Sequence, residues 1–328
     1  MRKQSFFRSL VVSMFMLSAT AFAGQIEISV VAGSMSPSSP AGIGVAELAK
    51  KITEYSNGSI QAKAFYEAQL GDAKSVVQGL QQGTIDIGIT GNAYFSAIVP
   101  EIQAFELPYL FKDYPEARKV LDSDAIDPIK QMLEKKGIKN LSFWEIGFRH
   151  LTNNVRPVKS MADVKGLKLR TLPAAIQVKT WENFGALPTA IDAAELYSAL
   201  QTRIVVGQEN SIGEIYTKKL QEVQKYLSLT GHVYTPTCLG MSMRTWRKLD
   251  DAQKEAVMKA VADATKAARE ANDRDEEVML AELEKSSIEI EKNPDLTEFK
   301  EVAKKSYDMF VDGKPERQQI LDAIQAAK

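Results

Sequence analysis

The sequence predicts an α/β protein made of two domains. Strand, helix and strand patterns follow one another at 26–31, 40–55 and 60–65, a spacing typical of parallel β-α-β units. About 305 residues follow a short N-terminal leader, which is more than one hydrophobic core usually organises. A continuous helical pattern from 251 to about 284 is long enough to lie along two domains at once.

Residues 1–23 have the features of a secretory signal. Arg2, Lys3 and Arg8 form the positive start, residues 10–17 are apolar, and residues 21–23 read Ala-Phe-Ala, a typical cleavage site. The apolar run is short for a bilayer span, which argues against the alternative of a membrane anchor. No cysteine follows it, which argues against a lipoprotein. We therefore expect export, most simply to a periplasm.

The charge balance of the exported chain is unspecialised. Removing the leader takes away three basic residues and no acidic ones, so 38 Lys and Arg face 42 Asp and Glu and the net charge is −4. This balance gives no basic footprint for nucleic acid, and we expect no nucleic-acid partner. Cys238 is the only cysteine, so no intrachain disulfide can form, and we expect it to be a small core residue.

The first half of the chain predicts a parallel sheet whose loops face a ligand. A third strand is predicted at 85–89, after a helix with Asp72 as its N-cap and Gly83 as its stop. The loops at 34–40 and 90–92 both follow strands of this pattern. Ligands of parallel sheets lie beyond the carboxyl ends of the strands, so we expect these loops at the site. Two further helices are predicted at 116–122 and 126–136.

The second half is predicted to contain two crossings between the domains. A strand at 141–146 leads towards Arg149 and is the candidate crossing, and 231–236, between strands at 226–229 and 239–243, is the candidate return. The first lobe is then 24–146 with 236–274, and the second is 147–235 with 275–328. The other predicted elements are strands at 167–170, 204–206 and 288–290, helices at 174–184, at 196–201 after an acidic capping pattern at 192–195, and from 298 onwards, and a polar turn at 207–210.

The long helix at 251–284 carries a narrow stripe of small residues. A coiled coil is the alternative reading of this helix, but the stripe lacks the large residues that such a seam needs. We therefore expect the stripe to pack closely against both domains. It consists of Ala256, Ala260, Ala264, Ala267 and Ala271.

The inventory of reactive residues argues against an enzyme. Neither His150 nor His232 stands at a metal-ligand spacing from another His or Cys, and no G-x-S-x-G elbow is present. A glycosidase uses a pair of carboxylates, and the chain has so many that counting them does not exclude this activity. Most of them, however, stand on predicted helix surfaces. The lack of a partner motif favours a structural role for His150 over a proton shuttle. We predict no catalytic residue, no metal and no cofactor.

Two arginines and an asparagine are candidates for a carboxylate-binding clamp. Arg149 and Arg170 each stand where a buried strand is predicted to end, and Asn210 stands at a third strand end. Guanidinium groups bind carboxylates through two parallel hydrogen bonds. The alternatives are structural ion pairs for the arginines and a helix cap for Asn210. Tyr94, Phe95 and Trp144 could line the same site, although aromatic residues beside strands are more often core.

Several motifs together resemble the DctP-type solute-binding proteins of tripartite ATP-independent periplasmic (TRAP) transporters. The motifs occur in the order typical of that family and extend over essentially the whole exported chain. They are QLGD at 69–72, FELPY at 105–109, Arg149 with Thr152-Asn153, DVKGLKLR at 163–170, AELYSALQT at 194–202, GQEN at 207–210 and EVQKYL at 222–227.

The resemblance implies a two-lobed periplasmic binding-protein fold, with a central ligand cleft and a long helix that spans both domains. It implies that Arg170 forms a salt bridge with a ligand carboxylate, that Arg149 supports it, and that Asn210 is a polar contact. Other positions match first-lobe or hinge positions that vary with the ligand, namely Ser34, Asp72, Asn92 and Thr237.

The implied function is capture of a small organic acid by hinge closure and its delivery to the small and large membrane subunits of a transporter. C4-dicarboxylates, sugar acids and other carboxylates all remain possible ligands. A periplasmic sensor domain that reports its ligand state to a signalling partner is the alternative, and a secreted hydrolase is the third reading.

Two departures from the family pattern affect the site. Ala193 stands where the family often has an aromatic ring that packs on the ligand, which suggests a roomier or reshaped pocket. Arg203 and Val206 replace a usual glycine and aspartate before the GQEN segment, so the bracing of that segment is expected to differ.

Overall fold

A computed structural model describes residues 25–328, and the predicted signal at 1–23 lies outside the described residues. The described chain forms one mixed sheet in the order β2-β1-β3-β8-β4-β7-β5-β6, with β9 paired to β8. The strands are β1 (Ile26–Val31), β2 (Ile60–Phe65), β3 (Ile87–Gly91), β4 (Ile138–Asn153), β5 (Lys168–Thr171), β6 (Leu187–Ala190), β7 (Gly207–Ser211), β8 (Tyr226–Ser242) and β9 (Glu289–Glu291).

Helices cover both faces of this sheet. Short 3₁₀ helices at Asn92–Ala97 and Pro100–Glu106 follow β3 directly. The α-helices are α1 (Pro40–Tyr55), α2 (Ala73–Gln82), α3 (Tyr114–Leu121), α4 (Asp127–Lys135), α5 (Ala175–Asn183), α6 (Leu196–Gln201), α7 (Ile212–Thr217), α8 (Met243–Trp246), α9 (Asp251–Glu284), α10 (Thr297–Val311) and α11 (Pro315–Ala327). In the described part of the chain, no helix combines the length and apolar character needed to cross a membrane.

The predicted β-α-β start of the chain is confirmed. β1 pairs in parallel with both β2 and β3, and α1 connects the first two strands. Asp72 caps α2 by accepting a hydrogen bond from the Ser75 amide at 2.8 Å, and Gly83 ends the helix with a φ of 77°. A second parallel group, β6-β5-β7, forms the far half of the sheet.

Two long antiparallel strands, β4 and β8, run through both halves of the sheet. β3 pairs with the end of β8, whereas β7 pairs with the end of β4. The prediction of two separate strands on either side of 231–236 was wrong, because that segment continues the β8 ladder. The β4 strand likewise continues past Ile146, since a register shift at Gly147, with a φ of 110°, bends it without ending it.

This continuity corrects the expected position of Arg149. Arg149 lies well inside β4 and pairs with Ser211 of β7, so it does not stand at a strand end. Arg170 lies within one residue of the end of β5, close to the position predicted for it. Both side chains project from paired backbone.

The polar segment 207–210 is a fully buried strand, so the prediction of a turn there was wrong. Its polar side chains form hydrogen bonds with other protein groups in place of water. Gln208, for example, donates to the Thr152 hydroxyl at 2.9 Å. The strand predicted at 204–206 is instead a turn, in which Ile204 is 65% exposed. Arg203 adopts a left-handed φ of 60°, where glycine is favoured, and Val206 packs on the apolar cluster around Leu169.

Two helix predictions in the second half also need correction. The acidic pattern at 192–195 does not form a capping box, because Glu195 already has a helical backbone and makes no side-chain cap. Asp192 instead accepts a hydrogen bond from the Ala194 amide at 2.9 Å. The single terminal helix predicted from 298 is two helices, α10 and α11, separated where Asp312 takes a left-handed φ of 46°.

The long helix α9 spans both halves of the molecule, as predicted. Its beginning packs along α1 and its later turns pack beside α7. The buried stripe differs from the prediction at one position, since Ala268 is buried and Ala267 is only partly so. At its closest point the stripe meets Gly44 of α1, and both lie against the ring of Trp144.

The packing between α1 and α9 should tolerate no added methyl group at Gly44. A Cβ at this position would lie 2.6 Å from Trp144 Cζ3 and 2.9 Å from Ala268 Cβ. We expect Gly44→Ala to lower the free energy of unfolding by ~1–3 kcal/mol in urea titrations. The matched control is Gly213→Ala in α7, whose Cβ would meet only Met279 Sδ at 3.8 Å. Equal stability of the two variants would contradict this account of the α1–α9 packing.

Candidate functional site

Arg170 is a fully buried cation, and four of its five N–H donors, those on Nη1 and Nη2, are unused within the described chain. Its Nε donates to the Ile191 carbonyl at 2.8 Å, which fixes the plane of the guanidinium group. Nη1 and Nη2 have no hydrogen-bond partner among residues 25–328. Burial lowers the pKa of this guanidinium from its usual value, because the charged form is poorly solvated. A buried, oriented pair of N–H groups of this kind matches the two oxygens of a carboxylate.

Arg149, in contrast, already has an acidic partner. Its Nε and Nη2 both bind the Glu209 carboxylate, the second to Oε1 at 2.9 Å, and both side chains are buried. The alternative of a structural ion pair therefore describes Arg149 well, even though its side chain also lines the central cavity. The guanidinium group of Arg149 is itself charged, since the nearby carboxylates raise its pKa in spite of burial.

Glu209 is held ionised at the centre of this ion pair. Burial alone would raise its pKa, but the charge of Arg149 and the hydrogen bonds from His232 and Arg149 outweigh burial and bring the pKa to about 2. His232 Nε2 lies 3.2 Å from Glu209 Oε2, and its Nδ1 lies 2.8 Å from the Thr230 hydroxyl. These contacts hold the Glu209 carboxylate in place, and Glu209 in turn holds the Arg149 side chain.

A cavity of about 40 Å³ lies between the two halves of the sheet, next to Arg170. Four of the seven predicted site residues line it, namely Ser34, Arg149, Arg170 and Asn210. The Ser34 hydroxyl is buried and unpaired within the described chain. Asn210 accepts a hydrogen bond only from the Ser211 amide, at 3.1 Å. Because Ser211 itself caps α7, the alternative of a capping role for Asn210 does not apply.

The other three predicted site residues do not line the cavity. Asp72 is engaged in capping α2, although the next residue, Ala73, reaches the cavity wall. Asn92 and Thr237 are both completely buried, and their side-chain polar atoms have no partner in the part of the chain that the structure describes. Thr237 pairs in register with Gly91, which does line the cavity.

Tyr94 closes the cavity from the first half of the molecule. Its hydroxyl accepts a hydrogen bond from the Ala193 amide at 3.1 Å, and both residues line the cavity. Burial raises the pKa of this hydroxyl to about 12, so it is neutral. The Tyr94 side chain therefore meets the backbone of Ala193 across the cavity, and the expectation of a roomier or reshaped pocket at Ala193 stays a prediction. Phe95 and Trp144, weighed as other lining residues, belong to the core.

Glu106 is a buried acid that sequence reasoning missed. Its Oε2 accepts hydrogen bonds from Gln177 of α5 and from Thr235 of β8, the latter at 3.2 Å. Burial raises its pKa to about 7, and the charge of Arg149 limits the rise. The signal in the sequence is a single glutamate inside the apolar segment FELPYLF at 105–111.

The histidine and cysteine chemistry considered from the sequence is absent from this site. His150 Nδ1 accepts a hydrogen bond from the Gly231 amide at 3.1 Å, and burial lowers its pKa to about 3, which does not suit a proton shuttle near neutral pH. Cys238 is buried, and burial raises the pKa of its thiol to about 12. Within residues 25–328, no cluster of His, Cys, Asp and Glu could hold a metal ion.

The site thus combines a buried cation that has unused donors with a position at the junction of two α/β halves, and comparison with known proteins identifies the family. The family model for bacterial extracellular solute-binding proteins, family 7 (DctP), matches residues 31–314. The chain belongs to this family, the solute-binding proteins of TRAP transporters. It is 32% identical over 274 residues to the 2,3-diketo-L-gulonate-binding periplasmic protein YiaO of Escherichia coli, covering 83% of this chain and 84% of that protein.

Solved structures agree with this assignment. A TRAP periplasmic solute-binding protein from Polaromonas, bound to D-erythronate, aligns with a TM-score of 0.88 at 32% identity, over 93% of this chain and 99% of the other. One from Bordetella, with density assigned as pantoate, aligns with a TM-score of 0.87 at 36% identity, over 93% and 100%. The predicted two-lobed α/β fold class is therefore confirmed.

The buried Glu106 should make stability depend on pH in a defined window. A glutamate in the unfolded chain has a pKa of ~4.3, whereas burial raises that of Glu106 to about 7. Between these values the folded protein keeps a proton that the unfolded chain loses. The stabilisation is therefore complete below pH ~4.3 and is lost as the pH rises through about 7.

Glu106→Gln isolates this effect, because an amide cannot titrate and the histidines are common to both proteins. We expect the unfolding free energy of the parent minus that of Glu106→Gln to fall by up to ~1.4 kcal/mol per pH unit across the window. Urea titrations at pH 4.5, 5.5, 6.5 and 7.5 measure it. A difference that is constant over this range would contradict the assignment of a raised pKa to Glu106.

Proposed function

We propose that this protein is an extracytoplasmic receptor that captures a small organic acid, with Arg170 as the group that binds the carboxylate. The observation that carries the proposal is the fully buried Arg170, whose Nη1 and Nη2 lack partners within residues 25–328 while its Nε is anchored on Ile191. A carboxylate that accepts two hydrogen bonds from these atoms would satisfy the donors and compensate the buried charge.

The other predicted site residues have different roles in this proposal, some in contact with the ligand and some behind the cavity wall. Arg149 holds its position through Glu209 and adds positive potential to the cavity. Asn210 and Ser34 offer polar atoms to the ligand from opposite sides. Asn92 and Thr237 act from behind the cavity wall, and Asp72 acts by placing the start of α2.

The ligands of related proteins support a carboxylate. Diketogulonate, erythronate and pantoate differ in size and in their hydroxyl groups, but each carries a carboxylate. The shared chemistry is therefore the anion, and this is the part of the ligand that Arg170 would bind. The rest of the ligand is free to vary with the residues around it.

Capture would proceed by closure of two lobes about β4 and β8. We assign 24–146 with 236–274 to the first lobe and 147–235 with 275–328 to the second, with the added feature that α11 packs back against α3 of the first. Tyr94 and Arg170 then belong to different lobes, and a ligand that contacts both favours the closed state. The leader directs the chain to the periplasm, and the closed receptor delivers its ligand to the small and large membrane subunits.

A thermal-shift screen of the mature protein against organic acids and neutral sugars tests the proposal. A ligand at ~100 times its dissociation constant stabilises the folded state by ~2.7 kcal/mol, which raises the melting temperature measurably. We expect hits among carboxylates and none among neutral sugars of the same size. Hits confined to neutral sugars would contradict the role assigned to Arg170.

Replacing each arginine by methionine should separate binding from stability. Arg170→Met removes a buried cation that lacks an acidic partner, so we expect unchanged or higher unfolding free energy and at least ~100-fold weaker carboxylate binding. Arg149→Met leaves the Glu209 carboxylate unpaired, so we expect a loss of ~3–5 kcal/mol in stability. Calorimetric titration and urea unfolding measure the two effects.

The matched control is Arg269→Met, which removes an arginine that pairs with Asp122 away from the cavity. This variant should keep the affinity of the parent. If Arg170→Met also kept it, the carboxylate would have to bind elsewhere.

A further inference from the structure

One of the three cations that line the cavity has no ion-pair partner. The three cations are Arg149, Arg170 and Lys218. Arg149 pairs with Glu209, and Lys218 pairs with Glu214 at 3.1 Å. Arg170 has no ion-pair partner among the described residues, so it is the cation left for a ligand carboxylate. A second ligand carboxylate would enter a buried site with no free cation among the described lining residues.

Much of the cavity wall is apolar. Met35, Ala73, Ile146 and Leu172 contribute to its wall, and all but Ile146 are buried. Hydroxyl groups on a ligand that faced this wall would lose their hydrogen bonds to water without replacement. Besides the Tyr94 hydroxyl, which binds the Ala193 amide, the hydroxyl and amide side chains in the lining are those of Ser34, Thr90 and Asn210.

The cavity is also short, and Tyr94 sets its length. Its volume of about 40 Å³ compares with ~10–15 Å³ for one water molecule, so it has room for only a few small groups. The Tyr94 side chain reaches across the cleft to the Ala193 amide and closes one end of the cavity.

We propose that the site selects a short monocarboxylate with an apolar body and one polar substituent next to the carboxylate, and that Tyr94 is the residue that excludes longer acids. The inference rests on the proposed function, because it assumes that Arg170 binds the carboxylate. It goes further by disfavouring dicarboxylates and polyhydroxylated sugar acids as ligands of this chain.

Three acids of equal chain length test the charge and the wall separately. 2-Hydroxybutyrate, malate and erythronate have four carbons each and end in a methyl group, a second carboxylate and a hydroxylated carbon. We expect calorimetric titration of the mature protein to show 2-hydroxybutyrate binding at least ~10-fold more tightly than either of the others. Tightest binding of malate or erythronate would overturn the inference.

Variants of Tyr94 test the length limit, with D-gluconate as a six-carbon acid. Tyr94→Ala should improve gluconate relative to 2-hydroxybutyrate by at least ~10-fold, because the ring no longer closes the cavity. Tyr94→Phe keeps the ring and loses only the contact with the Ala193 amide, so it should weaken both acids by about 3–10-fold and keep their order. Should Tyr94→Ala fold poorly by circular dichroism, Tyr94→Leu makes the same comparison with less lost volume.

Different results would contradict the proposed function and the proposed ligand selectivity. Sugar acids or dicarboxylates that bind best and lose binding in Arg170→Met would overturn the selectivity and support the carboxylate role of Arg170. Binding of 2-hydroxybutyrate that survives in Arg170→Met would contradict the proposed function itself. An unchanged order of acids in Tyr94→Ala would remove Tyr94 from the selectivity, and failure of the folded protein to bind any of the four acids would overturn the inference.

Discussion

The ion pair between Arg149 and Glu209 is the interaction on which the site depends. It joins β4 to β7 across the centre of the sheet and is supported by His232 of β8, so that three strands share one buried charge network. Because Glu209 forms its ion pair with Arg149, it does not form one with Arg170. The same sheet therefore contains one arginine that is fully paired and one whose outer donors are unused within the described chain. The two side chains therefore differ in pairing although their residue type and burial are the same.

The continuity of β4 and β8 makes such a network compatible with the proposed closure of two lobes. Both strands run through the junction, so the two halves of the sheet are connected by paired backbone. Register shifts near Gly147 and Arg149 interrupt the ladder within this region. The long helix α9 adds a second connection, since it packs on both α1 and α7. The proposed closure would therefore consist of bending about these elements.

The local elements of the first half could be predicted from the sequence because their signals are short-range. Asp72 and Gly83 mark the ends of α2, and the strand patterns at β1 and β2 follow directly from alternation. The GQEN strand could not be predicted in this way. Its polar residues resemble a turn until their partners, Thr152 and Arg149, are known, and these lie more than 50 residues away in the chain. Burial of polar side chains is decided by tertiary partners that local patterns do not contain.

The same reasoning applies to the site. The types of residue that bind a carboxylate identified Arg149, Arg170 and Asn210, and all three line one cavity. Which arginine keeps free donors depends on the placement of Glu209, and the shape of the cavity depends on Tyr94, which crosses from the other half of the molecule to the backbone at Ala193. An alanine at 193 read alone suggests extra space, but space in a closed cleft is set by both walls. In the proposed site, ligand selectivity would therefore depend on pairs of residues that face each other across the cavity, such as Tyr94 and Ala193.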